Sequence, residues 1–196
     1  MRLVLATSNK GKVKEIQALY SEYDVVPYSE LIEPFEIVED ADSFKGNALI
    51  KARAVFNALK QDDVIVIADD SGISVEILNN APGIYSARYA GEDANDKDNL
   101  YKLIDDVKAK NVESSKAHYT AAIAIVTKEE EQCVHGWMYG DVITEAKGDG
   151  GFGYDPMFIP EGFTKTLGEL DNETKSKLSH RSKALKLMKV ILKTMN

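Results

Sequence analysis

The chain has 196 residues, 44% of them hydrophobic, and its 32 acidic residues outnumber 24 lysines and arginines to give a net charge of −8. This length suits a single domain over residues 1–196, and the negative balance disfavours a nucleic-acid partner, because the phosphate backbone would be repelled on average. One cysteine excludes an internal disulfide. The N-terminus lacks a signal-peptide pattern and no segment has the roughly 20 apolar residues that span a bilayer, so we expect a cytoplasmic protein with no membrane partner.

Helix-like and strand-like segments alternate along the chain, which predicts an α/β fold. A short strand at Leu3–Thr7 leads through Ser8 and Asn9, both good helix caps, into a first helix. A second helix is predicted from near Ser43 towards Leu59. The later predicted elements are a buried strand over Val64–Ala68, a helix over 96–110, two paired strands at Tyr119–Thr127 and Gln132–Met138, a glycine-rich loop at Gly148–Pro156 and a closing helix from about Ser182 to Lys193.

The first motif with chemical potential is Thr7–Lys12, between the first strand and the first helix. A helix N-terminus offers unpaired N–H groups and a positive dipole end, and Lys10 and Lys12 add cations, so the segment suits phosphate. It is not a P-loop, because Ala6 stands where that pattern needs glycine and Val13 where it needs serine or threonine. The alternative is a capped helix with solvated lysines.

The second motif is the acidic pair Asp69 and Asp70, directly after the predicted buried strand and before Ser71 and Gly72. That position is the sheet edge where α/β proteins place their ligands. Neighbouring strand residues point to opposite faces, so the two carboxylates need not share a role. One can bind Mg²⁺, which prefers one or two carboxylates with phosphate and water, or accept a proton. The alternative is an acidic turn that is only structural.

The third motif is the glycine-rich segment Gly150–Pro156. Glycines let the backbone approach a flat ligand, Phe152 offers a ring on which a base can stack, and Asp155 can accept hydrogen bonds from a base edge. The alternative is a glycine-rich turn around a core aromatic residue.

The fourth motif is a small cation cluster formed by Lys175 and Ser179–Arg181 in an otherwise acidic chain. His180 and Arg181 can bind a carbonyl oxygen, although cations beside a helix are also common without a ligand. Cys133 lies in an apolar strand without an evident cationic neighbour, so we expect no nucleophilic role for it.

Taken together and in this order, the motifs resemble those of the inosine/xanthosine triphosphate pyrophosphatases, which clear deaminated purine nucleotides. The resemblance covers nearly the whole chain. The segments that carry it are Thr7–Lys12, similar to the family's T-x-N-x-x-K phosphate loop, then Ser43-Phe44, Asn47-Ala48 and Lys51-Ala52, then Ala68–Gly72, Ala81–Tyr89, Gly151–Pro156 and Ser179–Arg181. One departure is Gly46, where the family usually has an acid just before Asn47.

The resemblance implies an α/β fold with a central mixed sheet flanked by helices, two lobes with a nucleotide cleft between them, a homodimer and Mg²⁺ dependence. It implies hydrolysis of dITP, ITP, XTP or dXTP to the monophosphate and pyrophosphate, which keeps deaminated purines out of DNA and RNA. Asp70 would be the catalytic proton acceptor and a metal ligand, with Glu39 as the second metal carboxylate. The residues implied at the substrate are Thr7, Ser8, Asn9, Lys10, Gly11, Lys12, Ser71, Phe152, Gly153, Tyr154, Asp155, Lys175, His180 and Arg181.

Two other functions remain open at the level of the residues. A related pyrophosphatase acting on pyrimidine or methylated nucleotides could share the phosphate loop and the acid. A nucleotide-binding sensor without catalysis is the second, although the intact Asp69, Asp70 and Lys12 argue against it.

Overall fold

The computed structural model describes residues 2–195, and its strands form one mixed sheet. The strands in this part of the chain are β1 (Arg2–Leu5), β2 (Asp24–Pro27), β3 (Val64–Val75), β4 (Ser114–Val126), β5 (Glu131–Ile143) and β6 (Phe158–Pro160). Their order is β2-β1-β3-β4-β5-β6, with β1 parallel to both β2 and β3, and β5 antiparallel to β6. A mixed sheet with flanking helices confirms the predicted fold class.

The helices begin where the sequence places capping residues. They are α1 (Lys10–Leu19), α2 (Phe44–Leu59), α3 (Asp96–Lys108), α4 (Asn172–Leu178) and α5 (His180–Thr194). Asn9 caps α1 by accepting from the N–H groups of its first turn, and Ser43 caps α2 in the same way. The helices predicted from Ser43, over 96–110 and over Ser182–Lys193 are therefore confirmed to within a few residues. Among residues 2–195, no helix is both long and apolar enough to cross a membrane.

Strand β3 runs much further than predicted. The prediction ended it at Ala68 because Ser71 and Gly72 are turn formers, but the strand continues to Val75. Ile73 and Val75 are buried, so apolar side chains resume directly after the polar stretch and pairing within the sheet overrides local turn propensity. The placement of Asp69 and Asp70 directly after the strand is therefore wrong, because both lie inside it, and the alternative of an acidic turn is wrong for the same reason.

Strands β4 and β5 are also longer than the predicted pair, although they are neighbours in the sheet as expected. The turn between them is closed by Thr127, whose N–H donates to the Glu130 carbonyl oxygen at 3.0 Å. The N-terminal part of β4 and the C-terminal part of β5 lack an unbroken apolar pattern, so the predicted strands were too short.

The described residues divide into two compact units. Unit 1 comprises residues 2–70, 121–135 and 184–195, and unit 2 comprises residues 71–120 and 136–183. The expectation of one domain and that of a cleft between two lobes both stay predictions.

Unit 1 has a core on each face of its strands. One cluster combines odd-numbered strand residues with α1 and α5, and includes Leu3, Leu5, Ile65, Ile67, Ile16 and Leu185. The other combines even-numbered strand residues with α2, and includes Val4, Val66, Ala68, Ala48, Ala52 and Val55. Because strand side chains alternate, this parity decides which helix each later residue of β3 faces.

Unit 2 has one core, in which α3 packs against strand residues and the segment after the glycine-rich loop. Its buried residues include Ile73, Val75, Leu100, Leu103, Ile104, Tyr119, Tyr154, Met157 and Phe158. The loop is thus followed at once by buried residues, which fix its C-terminal end.

Candidate active site

The two adjacent acids of β3 face opposite sides of the sheet, as strand geometry predicts. Asp69 has the parity of Ile67 and contacts α1, where its carboxylate oxygens lie 2.9 and 3.0 Å from Lys12 Nζ. The Asp69 side chain is only 2% exposed, so the lysine neutralises a buried charge. Lys12 is therefore tied to the strand rather than solvated.

Asp70 has the opposite parity and contacts α2 through Lys51. Lys51 Nζ lies 3.1 Å from Asp70 Oδ1 and 2.6 Å from Glu39 Oε2, so one ammonium bridges two carboxylates. Glu39 lies in an irregular segment that Asn47 holds against α2 by accepting the Ala41 N–H at 3.0 Å. The structure thus brings Glu39 and Asp70 to the same lysine, while their shared role as metal ligands stays a prediction.

Sequence reasoning left Lys51 out of the site, although a signal for it existed. It lies on α2 next to Ala52 and one turn from Ala48 and Val55, which are fully buried. A lysine at the edge of a buried helix face needs an acidic partner, and Asp70 is that partner.

The second carboxylate oxygen of Asp70, Oδ2, differs from the first because Lys51 does not hold it. Asp70 Oδ2 is buried and has no hydrogen-bond partner within the described residues. Burial raises the pKa of the Asp70 carboxyl, and the charge of Lys51 opposes this effect. Such an oxygen is ready to accept a proton or to bind a cation.

The same oxygen of Asp70 bears on whether this site can hold Mg²⁺. Among residues 2–195, no group of three His, Cys, Asp or Glu side chains is arranged to hold a metal ion. Mg²⁺ is commonly held by only one or two carboxylates, with substrate phosphate and water completing its shell. The open oxygen of Asp70, with Glu39 nearby on Lys51, is compatible with that sparse arrangement.

The N-terminal segment from Thr7 to Lys12 is mostly exposed. The Asn9 side chain accepts from the N–H groups of Gly11 and Lys12 at 2.9 and 3.1 Å, and Thr7 Oγ1 accepts from the Asn9 N–H. Ser8 and Lys10 are exposed. The segment therefore presents a capped helix start with one exposed lysine.

In unit 2, the Phe152 ring is 70% exposed on the glycine-rich loop, so it can stack on a ligand. Its own N–H donates to Asp155 Oδ2 at 3.3 Å, and the Gly153 N–H donates to Asp96 Oδ2 at 3.1 Å. Tyr154 differs from its neighbours because it is 5% exposed and its hydroxyl donates to the Ser86 carbonyl oxygen at 2.7 Å. The Tyr154 side chain belongs to the core, which leaves only its backbone for a ligand.

Asp155 and Lys175 come together beneath the loop, 3.6 Å apart and each with a side chain 14% exposed. Burial raises the pKa of the Asp155 carboxyl, and Lys175 opposes this shift. Gly151 fills the space above them with φ +88°, and a Cβ there would collide with Asp155. Glycine is therefore required at this position.

The last predicted site residues lie at the start of α5. The His180 ring stacks on Tyr119, with centroids 4.9 Å apart and an interplanar angle of 15°. Arg181 is 8% exposed, and its Nη2 donates to Ser71 Oγ at 3.1 Å. Sequence reasoning missed Tyr119, because an aromatic residue in a strand gives no signal beyond a place in the core.

The chain is similar to known proteins in both its sequence and its structure. The model of the Ham1 family matches residues 3–191 of the chain. The chain belongs to the Ham1 family. This confirms the resemblance drawn from the motifs.

Named relatives within this family are similar along the whole chain. A dITP/XTP pyrophosphatase from Sulfurimonas denitrificans is 69% identical, with 100% of both chains covered, and one from Nautilia profundicola is 57% identical with the same coverage. The solved Ham1 protein of Staphylococcus aureus superposes with a TM-score of 0.91 at 35% identity, again over 100% of both chains.

Gly46, the one visible departure from the resemblance, lies in the first turn of α2, where its N–H donates to Ser43 Oγ at 3.2 Å. A Cβ at this position would lie 2.5 Å from the Ala41 Cβ. An acid could not be added here without moving Ala41, so any metal shell in this Ham1 family member has to form without it.

Proposed function

We propose that this protein hydrolyses non-standard purine nucleoside triphosphates, namely dITP, ITP, XTP and dXTP, to the monophosphate and pyrophosphate. Its role would be to keep deaminated purines out of DNA and RNA. The observation that carries the proposal is the buried oxygen of Asp70, which has no hydrogen-bond partner within the described residues and lies beside a lysine in a Ham1 fold. The names of its full-length relatives support the same activity.

The first part of the proposal concerns the phosphates. Lys10 is exposed at the start of α1, where the helix dipole also has its positive end, and both features suit phosphate oxygens. Lys12 and Lys51 add positive charge close by, although each also neutralises an aspartate. In a chain with net charge −8, the positive charge that a polyphosphate needs would therefore come mainly from Lys10, the helix start and the proposed Mg²⁺.

The second part concerns the water that attacks between the α- and β-phosphates. Asp70 accepts its proton at Oδ2, since Oδ1 is held by Lys51. The raised pKa of Asp70 brings its basicity closer to neutral pH than that of an ordinary aspartate, which suits a general base. Glu39 keeps Lys51 in place from the other side.

The third part concerns Mg²⁺, for which Asp70 and Glu39 are the proposed ligands. The Asp70 carboxylate has about four lone-pair sites, so one could bind the ion while another, at Oδ2, accepts the proton. When bound, the ion would neutralise charge on the phosphates and on the leaving pyrophosphate. Removal of divalent cations with a chelator should therefore abolish pyrophosphate release, and added Mg²⁺ should restore it. Turnover that is undiminished in chelator would exclude this dependence.

The fourth part concerns the base. Phe152 stacks on the purine, while Asp155, Lys175, His180 and Arg181 lie around its edge. Selection for oxygen at C6 and against the 2-amino group of guanine would follow from buried polar groups, since a buried donor left unpaired costs about 1–3 kcal/mol.

We also propose that the protein acts as a homodimer in the cytoplasm. Trp137 and Tyr139 have the same parity on β5 and are 43% and 57% exposed, so two large aromatic side chains on one face of the strand are available to a second copy. Light scattering of the purified protein measures its mass directly, and a monomer at micromolar concentration would refute the dimer.

The deciding experiment is release of pyrophosphate from a panel of ITP, dITP, XTP, GTP and dTTP with Mg²⁺. We expect high turnover with the first three and little with the others. Preference for dTTP would point to the related pyrophosphatases of other specificity. Tight nucleotide binding without any product would point to the sensor.

A further inference from the structure

We propose that Asp96, the first residue of α3, is a positioning residue that holds the glycine-rich loop so that Phe152 can stack on the purine base. The inference rests on the role proposed for Phe152 and assigns to that reaction a residue outside all the motifs considered above. It depends on the contact between Asp96 Oδ2 and the Gly153 N–H, 3.1 Å long, which joins residues 57 positions apart.

Side-chain packing does not fix the Phe152 ring, because 70% of it is exposed. Its direction depends instead on the backbone that carries it. Two consecutive N–H groups there are held by carboxylates, that of Phe152 by Asp155 and that of Gly153 by Asp96. Asp155 belongs to the same loop segment and reaches α4 only through its ion pair with Lys175, whereas Asp96 lies on α3 and binds the loop backbone directly.

The loop needs such a tie because its sequence gives it little stiffness. Gly148, Gly151 and Gly153 all have positive φ, of +80°, +88° and +58°. Glycine has the largest conformational freedom of any residue, so the untied segment would populate many backbone states. A hydrogen bond to an ionised acceptor is stronger than one between neutral groups and restricts that freedom.

The Asp96 carboxylate is available for this role because α3 does not need it as a cap. The Asn95 side chain accepts from the N–H groups of Lys97 and Asp98, and the Asp98 side chain accepts in return from the Asn95 N–H. This reciprocal pair completes the helix start. Asp96 lies between the two and is directed to the loop. The helix itself is firmly placed, since Leu100 and Leu103 are buried.

A cavity next to the glycine-rich loop gives the loop room to move if the Asp96 contact is lost. A cavity of about 540 Å³ is lined on one side by the loop, including Phe152, and on the other by the first turns of α3, including Asp96 and Tyr101. Without Asp96 the loop could move into this cavity and turn the Phe152 ring away from a stacking position.

The test compares Asp96→Ala and Asp96→Asn with the control Asp105→Ala, which removes the same charge from an exposed position of the same helix. Each is assayed with ITP and with ribose 5-triphosphate, which lacks the base. We expect Asp96→Ala to raise the KM for ITP about five-fold, as for the loss of one net hydrogen bond, with kcat nearly unchanged. Asp96→Asn should lie between the wild type and Asp96→Ala, because its amide oxygen still accepts but carries no charge.

The base-free substrate separates positioning from general damage. Its KM should be the same for the wild type and for Asp96→Ala. An equal rise with both substrates, or no rise with ITP, would overturn the inference.

A second measurement does not depend on turnover. Hydrogen exchange of the Gly153 amide should be about five-fold faster in Asp96→Ala and unchanged in Asp105→Ala. Unchanged exchange in Asp96→Ala would overturn the contact itself. If the Gly153 amide exchanges faster in Asp96→Ala than in the wild type, but the wild type hydrolyses no purine triphosphate, the contact stands and the proposed function is refuted.

Discussion

The charged cluster of unit 1 and the glycine-rich loop of unit 2 are built in opposite ways. In unit 1, three carboxylates are paired with two lysines, and both lysines and two of the acids lie on regular strands and helices. In unit 2, an exposed ring is carried by a glycine-rich backbone that hydrogen bonds hold in place. Substitutions in unit 1 should therefore lower kcat and stability, whereas substitutions in unit 2 should raise KM for substrates that carry a base.

The sharpest way to test the unit 1 half of this comparison is Asp70→Asn. The amide cannot accept the proton, so kcat should fall by about 10²- to 10⁴-fold while nucleotide binding persists. Steady-state kinetics and a binding titration with ITP measure the two effects. Asp62→Asn, at an exposed acid paired with Lys128, is the control and should be silent. Near-normal turnover of Asp70→Asn would exclude Asp70 as the base.

The next largest effect is expected for Lys51→Met, which leaves Glu39 and Asp70 without their shared cation. Breaking a buried ion pair typically costs 3–5 kcal/mol, and since Glu39 is 30% exposed we expect about 2 kcal/mol here. Urea unfolding measures this loss, and kcat should fall together with it. Lys51→Arg keeps the charge and should retain most of the stability. Equal stability of the wild type and Lys51→Met would show that the bridge is not structural.

Phe152→Ala tests the unit 2 half. Stacking of a base on an aromatic ring is worth about 1–3 kcal/mol, so the KM for ITP should rise about five-fold or more. The KM for ribose 5-triphosphate should not move. The urea midpoint should also stay constant, because the ring is largely exposed. Equal losses with both substrates would contradict the stacking role.

A smaller effect is expected from Tyr119, which stacks on His180 inside the core. Tyr119→Leu removes a ring contact worth about 0.5–1.5 kcal/mol and should raise the KM for ITP about three-fold, beside a loss of stability. Tyr119→Phe keeps the ring and should keep the KM. A larger KM in Tyr119→Phe than in Tyr119→Leu would mean that the hydroxyl, not the stack, supports His180.

The smallest effect is expected from Cys133→Ala. Burial raises the pKa of the Cys133 thiol, which makes it a poor nucleophile at neutral pH. Pyrophosphate release should therefore be unchanged in the variant and insensitive to a thiol-modifying reagent. Inactivation by that reagent in the wild type alone would contradict this.

Much of the structure of unit 1 could be predicted from the sequence, because the patterns that indicate its helices and strands are local and periodic. Ser43 marked the start of α2, and alternation along β3 correctly sent Asp69 and Asp70 to opposite faces. The end of β3 could not be predicted, because its continuation past Gly72 depends on neighbouring strands that are distant in sequence.

Contacts between distant residues also limited the prediction of the site. Lys51 carried a detectable signal, namely a cation beside a buried helix face. Asp96 carried none, because its link to Gly153 joins two segments that no spacing rule connects. The motif did not reveal that the Tyr154 side chain lies in the core, and a ligand contact through its backbone stays a prediction.

The division of the chain into interleaved segments has a consequence for how it acquires its structure. The backbone passes between the two units four times, after residues 70, 120, 135 and 183. Neither unit is a continuous stretch, so no single proteolytic fragment consists of one complete unit alone. Unit 1 also requires residues 184–195, which are synthesised after all of unit 2. Because many native pairings are remote in sequence, folding should be slow and late in synthesis, and shortened chains should be recovered as aggregates rather than as half-proteins.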